Sequence, residues 1–70
     1  MSNEKEIQER LQGLLRGRIM SVRDAWWAAY NTAAWARIRG EDAAPWEELV
    51  HYLEGLEFDL GEEGLLFPEE

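Results

Sequence analysis

Glu48 and His51 stand three residues apart, a Glu-x-x-His spacing that puts a carboxylate and an imidazole on one face of a helix. In helical bundles such a pair ligates metal when a facing helix adds a further carboxylate. Here a hairpin turning near Glu41 and Asp42 would set Thr32, Ala33, Ala34, Trp35 and Ala36 opposite, and none of these is a carboxylate. Glu48 and His51 also share the polar side of their helix with Glu47 and Glu54. A solvated helix face is the expected reading, and a carboxylate/His metal-binding protein is the weakest alternative. With no Cys and a single His in 70 residues, the chain has no disulfide framework and no Cys/His zinc site. It contains no nucleophile elbow, phosphate loop or glycine-rich dinucleotide turn. Ser2 and Ser21 stand where helix caps are needed, without a base near them in sequence. The expectation is a protein that is not an enzyme and takes no cofactor and no metal.

The remaining chemistry is recognition, and the charge distribution shapes it. The net charge is −8, yet all seven Lys and Arg lie before Gly40. Residues 1–40 sum to +3 and residues 41–70 to −11. Such polarity marks a binding surface or an acidic tail. Eleven acids with no base among them favour docking on a basic surface of a larger protein, in the manner of a nucleic-acid mimic. In that reading Glu47, Glu48, Glu54, Glu57 and Asp59 steer association. The apolar anchors are Trp27, Ile38, Leu65, Leu66 and Phe67, of which the last three form a short hydrophobic run between acidic flanks that either docks on the partner or folds back over the exposed side of helix 2. Arg16, Arg18, Arg23, Arg37 and Arg39 could form a basic patch, but the acidic half repels phosphate and argues against direct nucleic-acid binding. The second reading is a structural subunit of a homo-oligomer, with the acidic half of one chain against the basic half of another.

Three helices must position these groups. Helix 1 is expected over about residues 3–16, where Ile7, Leu11, Leu14 and Leu15 make an apolar stripe and Gly17 a stop. Helix 2 is expected over 22–39, opened by Ser21-Val22-Arg23-Asp24, a capping-box pattern with Asp in place of Glu. One face of it reads Val22, Ala25, Trp26, Ala29, Tyr30, Ala33 and Ala36. A second face reads Trp27, Ala34 and Ile38, with Ala28 and Trp35 beyond. Trp26 and Trp27 diverge by about 100° on a helix, so one packing interface does not bury both. Helix 3 is expected over 45–57, opened by Pro45 and bracketed by Gly55 and Gly61. The expected architecture is an all-α, three-helix bundle-like domain over residues 1–60, with an acidic and hydrophobic tail over 61–70. The apolar run Ala25–Ala36 is too short and too broken to span a bilayer. The polar, acidic start lacks the basic and apolar pattern of a signal peptide. A cytoplasmic location without membrane contact is expected.

Overall fold

A computed structural model describes residues 4–61 and 63–69. The helix 1 cap expected at Ser2 lies outside the described residues. Helix α1 spans Glu4–Leu15, with Glu4 and Glu6 in its first turn, where carboxylates meet the positive end of the helix dipole. Ile7, Leu11 and Leu15 recur every four residues and are buried. The helix stops where Arg16 turns left-handed at φ 54°, followed by Gly17 at φ 75°. The Arg16 amide still donates to the Gln12 carbonyl at 3.1 Å, and Arg18 N reaches Leu15 O at 3.1 Å, so the turn closes on the last carbonyls of the helix.

Helix α2 spans Val22–Ile38. Ser21 caps it, with its hydroxyl accepting from the Asp24 amide at 3.1 Å. Arg39 closes the other end and Gly40 leaves it at φ 74°. The buried face is Val22, Ala25, Ala29, Ala33 and Ala36. Alanines on this face let neighbouring helices approach closely, and the larger side chains come from α1 and α3. Helix α3 spans Ala44–Leu60, opened by Pro45 in its first turn. Asp42 Oδ1 accepts from the Ala44 amide at 3.0 Å and satisfies one of the free donors there. Leu49 and Leu53 of α3 are fully buried.

α3 runs through Gly55 and ends at Gly61, where φ is 83° and the amide donates to Glu57 O at 2.8 Å. The helix thus runs three residues past the expected end at 57. A helical glycine costs about 1 kcal/mol, and packing of Leu53 and Leu56 against the core on either side of it outweighs that cost.

The C-terminal segment is more than a tail. Leu65–Leu66 forms a strand, β2, that pairs antiparallel with Met20–Ser21, β1, in the register Met20↔Leu66 and Ser21↔Leu65. The Val22 amide, an unpaired donor at the start of α2, donates to Gly64 O at 2.8 Å. Gln12 holds the segment from the other side, since its Nε2 donates to Phe67 O at 3.4 Å and its Oε1 accepts from Glu69 N at 2.8 Å. Leu66 therefore joins one core with Ile7, Leu11, Leu15, Val22, Ala25, Ala29, Leu49 and Leu53. A smaller cluster of Ala33, Ala36 and Ala43 sits under Trp46. The result is a small all-α three-helix domain sealed at one end by a two-stranded ribbon.

Candidate interaction surface

Twelve hydrophobic residues are buried among the described residues, and five of them are alanines. Such a thin core leaves large apolar side chains outside. The main set lies on α2, on the side turned away from the alanine face. Trp27 is 49% exposed, Trp35 59% and Ile38 74%, with Ala34 half-buried among them. Trp26, one residue from Trp27, turns back and packs against the core. Its indole N–H is buried without an acceptor among the described residues. Tyr30 stacks on Trp26 at 5.2 Å between ring centres, and Trp27 meets Trp26 edge-on at 5.0 Å. The rings hold one another in place, so Trp27 is presented on a fixed support. At the far end of α2 the Arg39 guanidinium sits over the Trp35 ring at 6.0 Å. Tyr30 shares its helical face with the buried alanines of α2 yet is 46% exposed. It lies at the edge of that face, about 100° from Ala29, beside Arg37, Glu47, Val50 and His51.

The five acids proposed to steer association fall into two sets. On the flank of α3 that faces α2, Glu47 pairs with Arg37, and Glu57 Oε1 accepts from Arg23 Nη2 at 3.0 Å. On the outer side of α3, Glu54 Oε1 lies 3.1 Å from His51 Nδ1. Glu48 and Asp59 lie on the other flank and are exposed, and neither has an ion pair among the described residues. The acid–base polarity read along the chain is thus partly closed within the fold, through Arg23 and Arg37 of α2 reaching to α3. Glu48 does not join His51, whose partner is Glu54. Among the described residues, no group of three or more His, Cys, Asp or Glu gathers in a way that could hold a metal ion.

A second apolar patch lies on the ribbon. Side chains alternate across a strand, so Leu66 points into the core while Leu65 and Phe67 point out, at 53% and 63% exposed. Continuing the register by one residue sets Phe67 opposite Ile19, which is 58% exposed. Of the two readings for this run, Leu66 follows folding back, though into the core beside β1, and Leu65 and Phe67 stay outside. Phe58, at 94% exposed, lies one residue past the expected end of helix 3; seven residues after His51, it stands on the polar face of the longer α3.

The cavities are modest. A pocket of about 100 Å³ is lined by Tyr30, Ala33, Arg37, Glu47, Val50 and His51, below the usual size of a small-molecule site. An open groove of about 470 Å³ runs past Leu14, Met20, Ala28 and Trp46, with Arg16 and Arg18 beside it. Among the described residues, no helix is long and apolar enough to cross a membrane. Comparison with protein-family models, with curated proteins and with solved structures finds no match.

Proposed function

We propose that the chain is a small, non-enzymatic protein-interaction module, a cytoplasmic regulator, inhibitor or accessory subunit that docks on a basic surface of a larger protein. Trp27, Trp35 and Ile38 of α2 are its anchors, and Leu65 and Phe67 of the ribbon are a secondary contact. The net charge of −8 steers the approach. Glu48 and Asp59 contribute most directly, because Glu47, Glu54 and Glu57 already face Arg37, His51 and Arg23.

One observation carries this reading. Helix α2 is apolar on two opposite faces, and only one of them is covered. A small domain gains nothing in its own fold from tryptophans aimed at water, whereas tryptophan is enriched at the centres of protein interfaces. Mimicry of nucleic acid by the acidic half follows from the same charge.

Affinity capture from the source cell tests the reading, with the wild-type chain compared with a Trp27→Ser, Ile38→Ser variant. The expected result is loss of the captured protein by tenfold or more, about 1.4 kcal/mol, without loss of the fold. Charge reversal at Glu48 and Asp59 is expected to slow association and flatten its salt dependence. Undiminished capture by the double variant would refute docking through α2.

A further inference from the structure

The outer face of α2 carries a second regularity. Asp24, Trp27, Asn31, Ala34 and Ile38 follow one another at intervals of 3, 4, 3 and 4 residues. That spacing keeps one seam of a helix turned toward a partner helix. Asp24, Trp27, Asn31 and Ile38 are exposed and Ala34 is half-buried. Building on the docking reading above, we infer that this seam pairs with the same seam of a second copy of the chain. The two α2 helices run antiparallel about a two-fold axis near Asn31.

Three features select a second copy. A two-fold interface requires a surface complementary to itself, and the ends of α2 are. Asp24 stands at the start and Arg39 just past the end, so antiparallel pairing brings Asp24 of each copy within about a turn of Arg39 of the other. Size is complementary as well, because the bulk of Trp27 at one end falls over the Ala34–Ile38 end of the other helix. Asn31, the polar residue in the middle of the seam, then faces its own counterpart, and paired asparagines fix the register of helix pairs. Self-pairing and partner docking both use Trp27 and Ile38, so each excludes the other.

Charge gives the contact a distinctive salt response. Two copies at −8 each repel at long range, and salt screens that repulsion beyond about 8–10 Å. Burial of Trp27, Ala34 and Ile38 is indifferent to screening, and the two exposed Asp24–Arg39 contacts lose only a little to it. Self-association should therefore change little or tighten as salt rises. An assembly made by pairing acidic halves with basic halves would weaken.

The test uses the full chain, which contains no cysteine, so single-cysteine probes are unambiguous. Sedimentation equilibrium is expected to show a monomer–dimer equilibrium that Ile38→Glu weakens by about thirtyfold. Asp24→Arg and Arg39→Asp each weaken the dimer, and together they restore it. Asn31→Cys is expected to form a disulfide-linked dimer under mild oxidation, whereas Ile38→Cys, far from the two-fold axis, and Glu48→Cys, on α3, do not. A chain that stays monomeric, with no cross-link at Asn31→Cys, overturns the inference. In that case loss of partner capture by Ile38→Glu would leave the docking reading standing, and unchanged capture would end both. Cross-linking at Ile38→Cys as efficient as at Asn31→Cys overturns the antiparallel arrangement.

Discussion

Replacing Leu66 and Leu65 separately by alanine tests whether the C-terminal ribbon belongs to the folding unit. The two residues are adjacent and chemically identical, yet Leu66 is 9% exposed and Leu65 53%. Leu66 packs in the same cluster as Leu11, Leu15, Val22 and Leu53. Truncation of a buried leucine costs about 2–5 kcal/mol. Leu66 sits at the rim, next to an exposed strand that can partly collapse, so about 2–3 kcal/mol is expected. For Leu65 the expected loss is within about 0.5 kcal/mol, as for most surface changes. A domain of this length has only about 4–10 kcal/mol in total, so the Leu66 effect is a large fraction of it. Urea unfolding followed by tryptophan fluorescence reads both. With a slope near 1 kcal/mol per molar urea for a small domain, Leu66→Ala lowers the midpoint by about 2 M or more, and Leu65→Ala leaves it nearly in place. Equal midpoints for the two variants would refute the packing of β2 against the core.

Two further outcomes check the local chemistry. Gly64→Ala should destabilise by about 1–3 kcal/mol, because an added Cβ would stand 2.6 Å from Leu60 Cβ; thermal unfolding measures this, and an unchanged midpoint would contradict the close approach of Gly64 to α3. Ser21→Ala should cost about 1 kcal/mol through loss of the α2 cap, with Ser21→Asp close to wild type in the same assay.

The residues that announced their structure did so through short-range physics. Ser21 and Asp24 are three positions apart and meet as a cap. The alanine stripe of α2 follows the 3.6-residue period, and Pro45 opens α3 where a missing amide costs nothing. The features that stayed hidden depend on contacts between distant parts of the chain. Two-residue strands have no periodicity to read, so β1 and β2 emerge only when Met20 meets Leu66 and Val22 finds Gly64. The charge split was legible as composition, but pairing of Glu57 with Arg23 and of Glu47 with Arg37 depends on how α2 packs on α3. For the candidate surface, the second face of α2 was visible from the spacing of Trp27, Ala34 and Ile38. The exposure of Phe58 required knowing that α3 continues past residue 57 to Leu60.

If the outer face of α2 is the recognition surface, the four tryptophan indole N–H groups report on it separately. Purified partner added to the isotope-labelled chain, observed by NMR, gives the most direct reading. The Trp27 and Trp35 indole signals are expected to shift or broaden while that of Trp46, beside the Arg16 and Arg18 groove, stays in place. Perturbation of Trp46 with Trp27 and Trp35 unmoved would place recognition away from the outer face of α2.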